Sequence, residues 1–115
     1  MYAAHAKLDN LTVIIDKNNL QQTGKNQDIL NLDNLIDKFK SFNWHTIEID
    51  GHNIESINNT LTINTTNNKP KAIIANTVKG KGVSLFENNN EWHHSILVKN
   101  NYEIALKELD EYEKK

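Results

Sequence analysis

Apolar residues recur along this chain with two different spacings. Leu11-Thr12-Val13-Ile14-Ile15 and Ala72-Ile73-Ile74-Ala75 are nearly continuous aliphatic or β-branched runs, as in parallel strands covered on both faces. A third short run lies at His45 to Asp50. Strands are therefore predicted over Leu11 to Asp16, His45 to Asp50 and Lys71 to Thr77. Elsewhere the spacing is helical. Leu32, Leu35, Ile36 and Phe39 stand at i, i+3, i+4 and i+7 and make one stripe ahead of Trp44. Ile54, Ile57 and Leu61 follow Gly51 in a weaker version of that spacing, and Tyr102, Ala105, Leu106 and Leu109 form a stripe near the C-terminus. Strand and helix alternate three times. That order predicts an α/β fold, a three-layer parallel sheet with crossover helices.

The punctuation agrees with this reading. Asn67-Asn68-Lys69-Pro70 is a breaker that sets up the third strand, and Asn88-Asn89-Asn90 suits a loop. Met1 to Lys7 reads as the last turns of a helix stopped near Asp9-Asn10, with no N-cap signal ahead of it. No repeat or linker divides residues 1–115, so they are read as one domain. Three parallel strands alone leave two open edges, which proteins normally cover or blunt. The pattern reads as part of a larger sheet.

Composition narrows the function classes. A chain of 115 residues can bury a core. Its net charge of −2 offers no basic footprint for nucleic acid or an anionic membrane. The absence of cysteine removes disulfides and thiolate metal sites, and allows the reducing cytoplasm in which the chain is expected. No apolar run is long enough to span a bilayer, and the N-terminus lacks a signal-peptide pattern. Asparagine is abundant even where Gly or Asp would be expected, which reads as a bias toward AT-rich codons. A single Asn therefore carries little argument.

Ligands of parallel α/β sheets bind at the carboxyl ends of the strands, and polar clusters follow all three strands here. After the first strand, Asp16-Lys17-Asn18-Asn19 offers an amide oxygen suited to Mg2+ or Ca2+, or simply a turn in which Asn18 bonds its own backbone. Asp50-Gly51-His52 reads as a turn, with Gly51 supplying an unusual backbone angle. Lys79-Gly80-Lys81-Gly82 either cradles an anion or is a solvated turn, and it is no P-loop. In Glu91-Trp92-His93-His94, neighbouring histidines of an extended chain point to different sides. One of them could serve a phosphate or a proton, or both could be ordinary loop residues.

Together these stretches resemble transketolase, a thiamine-diphosphate enzyme. The resemblance runs from Ala3-Ala4-His5-Ala6-Lys7-Leu8-Asp9-Asn10-Leu11 through Asp16-Lys17-Asn18-Asn19-Leu20 and Ile49-Asp50-Gly51-His52. It is strongest over residues 69–82, and Glu91-Trp92-His93 closes it. The form it is most similar to is the N-terminal subunit of a transketolase split into two polypeptides. A 2-oxoacid dehydrogenase component fits less well over Lys79 to His93. The resemblance implies that the Asn18 side-chain oxygen and the Leu20 main-chain oxygen bind the divalent metal, Mg2+ or Ca2+, that bridges to thiamine diphosphate. It further implies that Lys79 contacts the cofactor. His93 would lie near the diphosphate and the reacting centre, binding cofactor and assisting catalysis. The implied reaction is transfer of a two-carbon ketol unit between sugar phosphates, as in the pentose phosphate pathway.

The family's Gly-Asp-Gly, with its metal-binding Asp, would fall before Met1. Its aminopyrimidine-activating glutamate belongs to another domain, contributed across a dimer interface. The expectation is a partial thiamine-diphosphate-binding domain lacking its N-terminal section and inactive alone. Its partners would be the Gly-Asp-Gly section and the C-terminal subunit, in an oligomer. The alternative is a non-catalytic remnant that folds with a partner chain. His94 also departs from the family, which usually has Gly there.

Overall fold

A computed structural model describes residues 1–64 and 68–112. In chain order the elements are α1 (Tyr2–His5), β1 (Thr12–Lys17), β2 (Leu20–Gln21), β3 (Gly24–Lys25), α2 (Asn26–Ile29) and α3 (Leu35–Ser41). Then come β4 (His45–Asp50), α4 (Ile54–Thr62), β5 (Lys71–Asn76), a 3-10 turn (Asn90–His93) and α5 (Lys99–Tyr112). They form two compact units. One comprises Met1–Lys17 and Leu32–Thr77, the other Asn18–Asn31 and Val78–Lys115.

The first unit holds the predicted parallel sheet, in the order β1-β5-β4. β5 is central because its run is apolar on both faces: Ala72, Ile73, Ile74 and Ala75 are all buried. The register aligns Ile14, Ile73 and Ile47 in one row and Asp16, Ala75 and Ile49 in the next on that face. Ile49, Ile73 and Ala75 form the core cluster there, with Ile47 and Ile57 of α4 packed against it. The path β1–α3–β4 steps across the sheet in one direction and β4–α4–β5 steps back. Right-handed crossovers then place α3 and α4 on opposite faces, giving the three layers expected.

Local chemistry sets the helix ends. The Asn34 side chain accepts from Asp37 N–H at 3.2 Å, and Asn53 accepts from Ser56 N–H at 2.8 Å. Both are N-caps. The apolar stripe begins at Leu32, but α3 starts only at Leu35, because Asp33 is left-handed (φ 45°) and Asn34 caps. α4 ends on a buried lysine. Lys71 Nζ donates to the carbonyls of Thr60, Leu61 and Ile63 at 3.0, 3.0 and 2.9 Å. Gly51 differs from expectation, because its backbone angle is not left-handed. Its lack of a side chain matters for space, since a Cβ there would strike the Thr77 methyl group. Of the breaker before β5, Asn67 lies outside the described residues, while Pro70 is fully buried.

The second unit contains elements the apolar spacing did not announce: the antiparallel β2–β3 hairpin, α2 and the 3-10 turn. The loop after β5 folds back on itself. Asn88 N–H donates to the Lys79 carbonyl at 3.0 Å, and Gly82 N–H donates to Glu87 Oε1 at 3.1 Å. Gly80 is left-handed (φ +74°), and a Cβ there would collide with the Phe86 carbonyl. Ser84 donates through its N–H and its hydroxyl to Glu108 of α5, both at 2.6 Å. Those bonds hold the Glu108 carboxyl below the usual carboxylate range. Among the described residues no helix is long and apolar enough to cross a membrane.

Candidate functional site

All four residues singled out from the sequence, Asn18, Leu20, Lys79 and His93, belong to the second unit. Asn18 follows the last residue of β1 directly. Its Oδ1 accepts the N–H of Leu20 at 2.9 Å, while Asn19 between them is left-handed (φ 61°). The turn reading of Asn18 is thus realised.

Leu20 is oriented by the hairpin. Asn26 N–H donates to the Asn19 carbonyl at 3.0 Å, and the register pairs Leu20 with Lys25 and Gln21 with Gly24. Hydrogen-bonded and non-hydrogen-bonded pairs alternate along an antiparallel ladder. Leu20 therefore takes the non-hydrogen-bonded position, with its N–H and carbonyl turned away from β3. The N–H meets Asn18 Oδ1, so the Leu20 carbonyl and the Asn18 amide belong to the same outer side of the ribbon. Two hard, neutral oxygen donors two residues apart suit Mg2+ or Ca2+ in kind. They do not suffice in charge. Among the described residues no group of three or more His, Asp or Glu side chains could hold a metal ion.

Lys79 is half-buried and lines a cavity of about 270 Å³ with Gly80, Phe86, Trp92, Ser95 and Leu97. Phe86 and Trp92 form its aromatic wall, with centroids 4.7 Å apart. Lys81 is engaged by Glu87 at 3.5 Å. An ammonium at the edge of an apolar pocket is suited to an anion carrying an organic group.

His93 ends the 3-10 turn, which is capped by Asn89 accepting from Glu91 N–H at 2.9 Å. Asn90, the first residue of that turn, donates through Nδ2 to the carbonyl of Gln22 at the hairpin tip, at 3.3 Å. One side chain thus ties the histidine's turn to the hairpin that carries Leu20. The expectation for an extended chain fails here. The turn brings the exposed His93 and His94 rings edge to face at 4.6 Å, because the backbone is not extended. His94 itself sits at φ −134°, outside the left-handed region that calls for glycine.

The sheet unit has its own polar cluster at the strand ends. Glu48 Oε1 accepts from Lys17 Nζ and from Asn76 Nδ2, each at 3.1 Å. The Asn76 bond, then Lys17, holds the Glu48 carboxyl below the usual range. Thr77 Oγ1 donates to Asp16 Oδ1. Asp50 Oδ1 accepts from His52 N–H at 2.9 Å, making the expected turn. Reading the residues alone missed Glu48, Asn76, Gln22 and Asn90. Only the pairing of separate segments brings them to the strand ends and the hairpin.

Residues 1–112 match the family described as transketolase, thiamine diphosphate binding domain. The chain is 41% identical over 106 residues to one subunit of the apulose-4-phosphate transketolase of Phocaeicola vulgatus. It is 45% identical over 107 residues to the subunit of that name from Actinobacillus succinogenes. These matches cover 91% and 93% of this chain but 38% and 39% of those proteins, so the chain spans about two fifths of their length. Among solved structures, transketolase from Campylobacter jejuni superposes with a TM-score of 0.85 at 29% identity, over 95% of this chain and 17% of that one.

Proposed function

The chain belongs to the family of the transketolase thiamine diphosphate binding domain, and from that membership we propose that it is one section of a transketolase subunit. In this reading residues 1–115 are a partial thiamine-diphosphate-binding domain. It works in the cytoplasm with the Gly-Asp-Gly section and a C-terminal subunit, in an oligomer. That two similar proteins are themselves named as transketolase subunits supports such partners. The assembled enzyme moves a two-carbon ketol unit from a ketose phosphate to an aldose phosphate. Thiamine diphosphate, when bound, supplies the carbanion chemistry.

This chain's residues bind and position. The Asn18 amide oxygen and the Leu20 carbonyl coordinate Mg2+ or Ca2+ from one side of the hairpin. Their shared outward face is the observation that carries the reading. The Lys79 ammonium, at the aromatic cavity, holds an anionic phosphate of cofactor or substrate. His93, on a turn anchored to the hairpin tip, assists catalysis by holding or moving a proton through a ring nitrogen.

With no carboxylate among these ligands, the chain alone binds neither metal nor cofactor appreciably. The same donor set favours a second reading, a non-catalytic module that folds with a partner. Calorimetry with thiamine diphosphate and Mg2+ should give no saturable heat for the isolated chain, and clear binding overturns that part. Adding the Gly-Asp-Gly section and the C-terminal subunit should restore ketol transfer, which Asn18→Ala then abolishes. An assembled but inactive complex leaves the second reading.

A further inference from the structure

The oxygens assigned to a cation and the histidine assigned to a proton stand on segments far apart in the chain. Asn18 and Leu20 lie at the entry to the β2–β3 hairpin and His93 in the 3-10 turn, while Leu32–Thr77 between them fold into the other unit. Local sequence therefore cannot set their spacing, and a contact between the two segments must. Asn90 supplies one. Its Nδ2 donates to the Gln22 carbonyl at 3.3 Å, across 68 residues of sequence.

Bonds within the loop give the turn its shape. Asn89 Oδ1 accepts from Glu91 N–H at 2.9 Å, Ser95 Oγ donates to the Glu91 carbonyl at 2.6 Å, and Phe86 packs on Trp92 with centroids 4.7 Å apart. None of these three contacts reaches the hairpin, so none places His93 relative to it. The Asn90 bond does, and the helical period gives it a direction. A 3-10 helix has roughly three residues per turn, so side chains at i and i+3 lie over one another. Asn90 and His93 are the first and last residues of the turn, at i and i+3. The face that Asn90 sets against the hairpin tip is therefore the face that carries His93.

We propose that Asn90 is a positioning residue that couples His93 to the cation-binding oxygens of the hairpin. This rests on the function proposed above. Gln22 lies two residues beyond Leu20 on the same ribbon. A cation that fixes the Leu20 carbonyl thus also steadies the carbonyl that holds Asn90. The coupling is reciprocal, so a turn seated on the tip stiffens the hairpin for the cation. Asn90 itself binds neither cation nor substrate. A single exposed hydrogen bond contributes little net stability, which bounds the coupling at about fivefold.

Nuclear magnetic resonance on the chain alone is the first test. Overhauser contacts should join the Asn90 side-chain amide to the Gln22–Thr23 tip. Asn90→Ala should shift the His93 ring resonances, and Asn90→Gln, which keeps an amide donor, should return them toward their native positions. Absent contacts or an unmoved ring overturn the inference. The second test uses the enzyme assembled with the Gly-Asp-Gly section and the C-terminal subunit. There Asn90→Ala should weaken Mg2+ binding in calorimetry about fivefold, and lower kcat about fivefold with KM for the ketose phosphate unchanged. In a His93→Ala background the same substitution should lower kcat no further, because both act through one ring. Unchanged Mg2+ affinity, a change in KM alone, or full additivity overturns the positioning role while the function stands. An assembly that binds Mg2+ without ketol transfer overturns the function alone, since the ring shifts and the Mg2+ titration still decide the positioning. One that binds no Mg2+ overturns both.

Discussion

β5 and the β2–β3 hairpin lie in different units and are held by different forces. In β5 four consecutive apolar residues are buried, flanked by parallel partners on both sides. The hairpin has two residues in each strand, neither residue of β2 is buried, and its shape rests on bonds such as Leu20 N–H to Asn18 Oδ1 and Asn26 N–H to the Asn19 carbonyl. Burial is non-directional and scales with area. Hydrogen bonds are directional and contribute little net stability each. The sheet should therefore lose stability when altered, and the hairpin should lose geometry.

Four substitutions probe that contrast. Ile73→Ala, in the core cluster, should cost roughly 3 kcal/mol in chemical denaturation. A loss below a third of that breaks the assignment of β5 as the main source of stability. Lys71→Met should cost about 2 kcal/mol, because three carbonyls at the end of α4 lose their donor. Hydrogen exchange should place the loosening in the last turn of α4. Asn18→Ala should cost about 1 kcal/mol at most, yet remove most Mg2+ affinity of the assembled enzyme. Equal losses in the two measurements would dissolve the contrast.

Glu48→Gln is the smallest effect, and it depends on pH. The folded carboxyl titrates below its ordinary value, owing first to Asn76 and then to Lys17. Its contribution is therefore present above the ordinary carboxylate range and lost as pH falls through the folded value. The side chain is 36% exposed, so the difference between native and Gln forms at neutral pH should stay under about 0.5 kcal/mol. It should vanish once the pH lies below the folded value. A difference that grows on acidification would show that the sign is wrong.

Much of the sheet could be read from the chain because burial leaves a periodic trace. β4 occupies His45–Asp50 as the apolar run implies, and β1 and β5 differ from expectation by one residue at their ends. The order β1-β5-β4 could not be read, since it depends on which crossover passes over which strand. The hairpin was hidden for a different reason. Two-residue strands show no period, and Gln22-Thr23 is not one of the favoured turn dipeptides. The 3-10 turn hid as well. Its signal was Asn89 two residues ahead of Glu91, an arrangement that recurs in a chain so rich in asparagine. The resemblance singled out Asn18 and Leu20, but the ladder alternation that turns the Leu20 carbonyl outward could not be read from the chain.

The bond from Asn90 to the Gln22 carbonyl carries a consequence for how this region tolerates change. Hairpin tips are ordinarily the places where a domain accepts extra residues. Here the tip is also a footing for the turn that ends in His93. Lengthening Gln22-Thr23 by even one residue would displace that footing, so variation in loop length should concentrate elsewhere in the molecule.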